Sequence, residues 1–559
     1  MAIAPAGRRT RGRRRRGGSR PAAGRLSFGT QALLFAAFLG VALIAYEPAL
    51  TGAFVSDDHH YVSDNAYVHE LSLENIAVIL DPLGDATHAV VNYTPVHLMI
   101  HAVAWEVFGD RVLGHHLVNL VFHSLASVLL VALFLRTGIP RAAALLGGAL
   151  FLLHPANVEA VAWISQLKSS SSMVLSLLAL LAMPRRPALA CLLFGLALLA
   201  KPTAAFVLPV AALFEWSDSP EGRVRWGWYA VMGVLLAGYA AVELIAHQRS
   251  GAAEAVLYRT PLVLLRTILG LALRYLVMST TTWGLSAFHE PEPAYSPWNP
   301  WWLGSLVALA LLGWRFVLVL RARRPEAAYW AWAVVSFGPV SQVFPFLHPL
   351  ADRYLYFILP GLLGGALLAG AEGVERLAAS RADPGRARRL AARAGVALGV
   401  AVAVGFGLRA HQRATVWRSD ARVIVDAAQH YPDGRWANLL RGKRAALAGD
   451  VDGAVAGIRG AMERGYNRFD QLLNDPAWAP VRDDRRFQAL VRELAAGWIA
   501  RIAERDNPTQ LELQMAAHAH LARNEKEQAV AMFRRALARG GKYDAQMRAY
   551  LVALGSAEE

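Results

Sequence analysis

The chain has 559 residues, 55% of them hydrophobic and only 18% charged, with a formal net charge of +15. That balance excludes an ordinary soluble globular protein and suits a polytopic membrane protein. Much of the positive charge is in Arg8, Arg9, Arg11, Arg13 to Arg16, Arg20 and Arg25. This run precedes an apolar segment, and no helix-turn-helix or base-stacking motif accompanies it. It therefore reads as an orientation signal that touches anionic headgroups, and nucleic acid is not an expected partner. The single cysteine, Cys191, rules out an intrachain disulfide and a thiolate metal site.

Residues 1–26 are rich in Arg, Gly, Ala and Pro and read as a disordered cytoplasmic leader. The apolar run over 28–48 is too long for a signal-peptide core and has no clear small-residue cleavage site, so an uncleaved signal-anchor is expected. The polar segment 51–91 follows as a first external loop, with F-V-S-D-D-H-H-Y at 54–61 and a short amphipathic piece at 71–80. Residues 93–108 are apolar but interrupted by His97, His101 and Glu106, which favours a helix lying in the interface.

Spans are expected at 114–134, 142–153 and 158–183, then a short helical pair, 188–200 and 203–216, around Lys201-Pro202. Further spans read at 226–246, 301–320, 327–343, 354–370 and 396–408, while Arg266 and Arg274 break or tilt 262–278 into the interface. Basic loops at 136–141, 185–186, 321–324 and 376–393 share one face, which the positive-inside rule makes cytoplasmic. The amino terminus is then inside, the carboxyl end outside, and about eleven spans lie between them. Each span must be helical, because lipid cannot satisfy free backbone groups.

The expected fold is all-α: a membrane bundle over 27–409 and a helical-repeat solenoid over 410–559. In the tail, Ala454, Ile458 and Ala461 have the spacing of Ala529, Phe533 and Ala536. Gly449-Asp450 and Asn524-Glu525 mark the turn before each of these helices. This is the small-large-small packing of helix-pair repeats about 34 residues long, so the tail reads as TPR-like.

Asp57 and Asp58 lie just past the exit of the first span. Two carboxylates there can bind a cation, or one can act as general base toward an acceptor hydroxyl; the ordinary alternative is a solvated polar loop. Neighbours on an extended loop point different ways, so they suit different roles. His59, His60 and His69 lack a metal-ligand spacing; no metal is assigned, and a divalent cation is left open. Glu159, after His154-Pro155, opens a span, where an acid is costly unless it faces a cavity, a partner or the helix dipole. Lys201, flanked by apolar runs, either snorkels to headgroups or meets a phosphate. Asp352-Arg353-Tyr354, after His348-Pro349, opens another span as an interfacial anchor or a site. All fall on one expected face. Together they suit a reaction between a phosphorylated lipid and a hydroxyl, with Lys and Arg balancing the leaving phosphate and an Asp taking the proton.

The order of F-V-S-D-D-H-H-Y-V (54–62), Y-T-P-V (93–96), G-H-H-L-V-N-L-V-F-H (114–123), H-P-A-N-V-E-A-V-A-W (154–163), L-L-A-K-P-T (198–203) and A-D-R-Y-L-Y (351–356) resembles the GT-C superfamily of membrane glycosyltransferases. The likeness is greatest to bacterial relatives of the transmembrane and TPR-repeat-containing O-mannosyltransferases. It runs over about 28–420 and continues in the tail. The resemblance implies a GT-C fold, a polyprenyl-phosphate sugar donor and inversion at the anomeric carbon. It places the catalytic centre at Asp57 and Asp58, with Asp58 slightly favoured as base, and the donor phosphate on Lys201 and Arg353. His59, His154, Glu159 and His348 would line the pocket. The acceptor hydroxyl would belong to a protein, glycan or lipid on the periplasmic side of a bacterial inner membrane. The tail would bind that acceptor or a protein partner. K-S-S-S-S at 168–172 departs from the pattern, since many relatives carry an acid there. The competing expectation is a non-catalytic membrane anchor for a docking tail. A transporter fits less well, because paired halves with broken spans are not evident.

Overall fold

In the computed structural model, residues 26–90, 92–250, 260–343, 348–505 and 507–556 are described. The expected leader, apart from residue 26, lies outside them. The described residues form helices and turns with no strand. Among the described residues, eight helices are long and apolar enough to cross a membrane, and Pro95–Phe108, Arg141–Leu153 and Pro187–Ala200 are shorter apolar helices packed among them. The chain is thus an all-α polytopic membrane bundle, in which each helix satisfies its own backbone.

Val112–Arg136 is central: Leu120, Val128, Leu130, Val131, Leu133 and Phe134 are buried against neighbours on several sides. Leu355–Ala379 and Glu326–Phe337 approach backbone to backbone. A Cβ at Gly361 would fall 2.6 Å from the Ala333 nitrogen and the Tyr329 carbonyl oxygen. Small residues of this kind let membrane helices gain close van der Waals contact.

Three sequence expectations are corrected here. Residues 158–183 read as one span. The chain instead forms Asn157–Ala162, an extended Trp163, a 3-10 turn at Ile164–Gln166, and then Leu167–Ala182. The break is stabilised from outside the segment, because Asp58 accepts the freed Ser165 N–H at 2.7 Å. Second, Arg266 and Arg274 do not break their helix, which is continuous over Pro261–Thr281. Their guanidiniums lie 5.5 Å and 4.3 Å over the rings of Trp302 and Trp301, so the charges rest on aromatic faces. Third, the basic stretch 376–393 is mostly helical: Leu355–Ala379 and Pro384–Ala414 run through it, leaving a short turn capped by Asp383.

The Pro261–Thr281 helix is bonded to one end of the bundle and to the loop that follows it. Thr267 Oγ1 accepts from Ala294 N at 2.9 Å, the Tyr275 hydroxyl accepts from Ala351 N at 3.3 Å, and the His154 ring meets the Ser279 carbonyl at 3.0 Å. It packs chiefly against Pro300–Arg321 and is itself one of the helices long and apolar enough to cross a membrane.

Loop 51–91 and the tail share that end. The amphipathic piece of the loop is the helix Leu73–Leu80. In the tail, Arg435–Leu447 pairs with Val451–Glu463, and Gln510–Ala522 pairs with Lys526–Arg539. Ala454, Ile458, Ala461, Ala529, Phe533 and Ala536 are all fully buried in the paired helices. Ser56 N–H donates to Asp420 at 2.8 Å, Arg435 N–H to Glu290 at 2.8 Å, and the Tyr543 hydroxyl to the Asp64 carbonyl at 3.0 Å.

Candidate active site

After the first helix, Phe28–Leu50, the chain turns sharply at Ser56, whose φ of 55° is in the left-handed region. The turn sends Asp57 and Asp58 to different environments. The Asp58 carboxylate is buried and accepts Val55 N–H at 2.9 Å and Ser165 N–H at 2.7 Å. Trp163 Nε1 donates to the Val55 carbonyl at 3.0 Å and closes the same knot. Burial pushes the Asp58 carboxyl up to about 8, against the downward pull of the two backbone donors. Asp57 is half-buried; its carboxylate accepts no hydrogen bond and joins no ion pair with a described residue, and it lies within electrostatic reach of Arg353.

Arg353 sits in the 3-10 turn Asp352–Tyr354 that opens the Leu355–Ala379 helix. Glu159 accepts its backbone N–H at 2.6 Å and pairs with its guanidinium. The guanidinium also lies 5.4 Å from the Trp163 ring centre and 5.0 Å from that of Tyr354. Asp352 turns away, to His289 at 2.7 Å and Arg413 at 3.7 Å.

Lys201 is extended because Pro202 follows it and disfavours helical geometry at the preceding residue. Its Nζ donates to Ser169 Oγ at 2.7 Å and Gln166 Oε1 at 3.5 Å, and lies within electrostatic reach of Lys168, Arg353 and Glu159. Lys168 donates to the Tyr61 hydroxyl at 2.9 Å, above that ring. Neither lysine has an acidic partner at ion-pair distance among the described residues. Two such cations side by side favour an anion between them.

The structure thus brings Asp57, Asp58, Glu159, Lys201 and Arg353 into one neighbourhood. His348 is at its rim, stacked 5.8 Å from Phe288 and within reach of Arg353. His59 and His154 are not part of it. The His59 ring bonds Ser63 Oγ at 2.8 Å within the turn His59–Ser63. The His154 ring is occupied by the Ser279 carbonyl and by Ala156 N–H at 3.2 Å, and it ties the Pro261–Thr281 helix to the bundle. Sequence reasoning missed Lys168 as a site residue, because it opens the polar run K-S-S-S-S at 168–172. Among the described residues, no group of three or more His, Cys, Asp or Glu is arranged to hold a metal.

The fold and this mixed-charge pocket define an all-α integral membrane protein with ionisable groups gathered at one end of its bundle. No protein-family model matches the chain. It is similar to the protein O-mannosyl-transferase Tmtc1 of Drosophila melanogaster, with 33% identity over 199 residues, a match covering 33% of this chain and 22% of that protein. The chain thus spans less than a quarter of that relative's length.

Proposed function

We propose that the protein is a GT-C-type membrane glycosyltransferase that moves a sugar, in the manner of an O-mannosyltransferase, from a polyprenyl-phosphate carrier to a hydroxyl acceptor with inversion. The observation that carries this reading is the unpaired Asp57 carboxylate within electrostatic reach of Arg353, which is paired with Glu159 and lies within reach of Lys201, itself close to Lys168. The similarity to Tmtc1 supports it.

Asp57 is the base: it takes the proton of the acceptor hydroxyl as that oxygen attacks the anomeric carbon. The bond from that carbon to the carrier phosphate oxygen breaks on the opposite face, and its electron pair stays on the phosphate. Lys168, Lys201 and Arg353 balance the charge that develops there. Asp58, with both oxygens engaged by backbone donors, holds the loop. The lipid chain stays in the bilayer. The site and a TPR-like tail face the periplasm of a bacterial inner membrane, with the basic turns in the cytoplasm. The acceptor is a protein, a glycan or a lipid. A second reading, a non-catalytic anchor for a docking tail, draws on the paired tail helices but gives the two lysines no task.

The test is sugar transfer in membranes carrying wild type, Asp57→Asn or Asp58→Asn. Loss of the base should lower transfer by about 10²–10⁴-fold. Undiminished transfer by Asp57→Asn would remove the proposed base. Undiminished transfer by the Asp57→Asn, Lys201→Gln double variant would favour the scaffold.

A further inference from the structure

Beside the Pro261–Thr281 helix lies a cavity of about 460 Å³, lined by Arg274, Thr281, Thr282, Trp283, Arg409 and His430, among others. That is within the usual range of small-ligand pockets, about 300–1,000 Å³. Tyr275 faces Ala351 and lies within reach of Arg353 and Glu159. Arg274, about 100° round the helix, points elsewhere.

Two guanidiniums face this cavity without a counter-charge. Arg274 forms no ion pair with a described residue and rests over Trp301. Arg409 bonds only the neutral Gln412, at 3.3 Å. The nearby acid, Asp426, is 3.8 Å from His430 but is already engaged by Arg413 at 2.5 Å and Ala287 N–H at 2.8 Å. The Thr282 hydroxyl has no partner among the described residues.

The depth of the cavity points to its occupant. On the Pro384–Ala414 helix, Leu398, Val404 and Leu408 are exposed, and Arg409 follows at once. On Pro300–Arg321, the exposed Leu306, Val307 and Leu311 succeed Trp301 and Trp302. Trp283, in the lining, is exposed. Apolar surface suited to hydrocarbon stops here, and tryptophans mark the boundary, as they do at headgroup level.

We propose that this cavity binds a phosphate group, gripped by Arg274 and Arg409 through charge-assisted hydrogen bonds. Its source is either the phosphodiester of an anionic lipid or soluble phosphate. The occupant would be one relay from the turn that carries Arg353. Tyr431, also in the lining, meets His289 at 3.0 Å, and His289 meets Asp352 at 2.7 Å.

The experiment uses the full chain in nanodiscs of phosphatidylglycerol and phosphatidylcholine. Native mass spectrometry counts retained phosphatidylglycerol, and calorimetry with inorganic phosphate forms the second arm. Wild type is expected to retain phosphatidylglycerol about tenfold better than Arg274→Gln, Arg409→Gln, given two lost charged contacts. Arg266→Gln, which alters the same helix away from the cavity, should match wild type. If soluble phosphate is the source, phosphate heat disappears in the double variant while lipid retention is unchanged. Should the double variant misfold, Arg409→Gln alone carries the test, since that side chain is exposed; a partial loss is then expected. Equal lipid retention and equal phosphate heat in wild type and the folded variant overturn the proposal.

Discussion

Asp57 and Asp58 are adjacent in the chain, yet their surroundings assign them opposite behaviour. Asp58 is in the protein interior with its oxygens on two backbone N–H groups, so Asp58→Asn replaces one acceptor with a donor facing an N–H. A loss of about 1–3 kcal/mol is expected, measurable by thermal unfolding in a fixed detergent. The pH dependence follows from the raised carboxyl, at about 8. The native state prefers the protonated form, whereas the unfolded chain ionises near the ordinary Asp value. Stability is therefore fullest below that value, declines as pH rises, and levels off above about 8. In Asp58→Asn this decline should vanish; its persistence would mean another group causes it. Lys201→Gln and Lys168→Gln should each lower transfer by about 10²-fold, read as turnover at saturating donor. Asp57, Lys201, Arg353 and Glu159 could be picked out from sequence because a charge in an apolar chain is costly and so conspicuous. Lys168 was hidden by the serines after it. His154 was over-read because its bonds go to backbone groups, which composition does not reveal.

At the scale of elements, the interruption at residues 163–166 and the loop at 55–58 form one unit, since each supplies the partner the other lacks. The local sequence over 158–183 cannot show a break whose stabilising carboxylate is about a hundred residues away. Arg266 and Arg274 leave their helix unbroken for a related reason: the tryptophan faces they rest on come from another helix. The left-handed Ser56 backbone is held by Asp420, the first residue of the helix Asp420–His430. Asp420→Ala should reduce transfer while the protein stays folded, and Asp420→Asn, which keeps an acceptor oxygen, should restore it. Equal activity in all three would make the contact incidental. The Gly361 approach gives a further expectation. Gly361→Val must separate two helices in backbone contact, so it should cost several kcal/mol, roughly as overpacking does, and lower the yield of folded protein.

For the whole molecule, the all-α bundle was readable from composition and the length of the apolar runs. The seating of the tail was not, because it depends on polar contacts between distant segments. Those contacts require loop 51–91 and the tail to lie on one side of the membrane. Accessibility labelling of single cysteines at residues 60 and 459 in a Cys191→Ala background should report the same compartment, and one at residue 186 the opposite one. Labelling of residues 60 and 459 from different sides would contradict the seating.

Tail residues meet the acidic loop at both flanks: Asp420 at Ser56, and Tyr543 at Asp64 and close to Ala66. Both ends of the appendage are thus anchored to the same short stretch, while its middle rests on residues 288–292 through Trp436, Arg435 and Arg464. Asp57 and Asp58 lie between the two anchors, so loosening either end of the appendage would be felt first at these carboxylates.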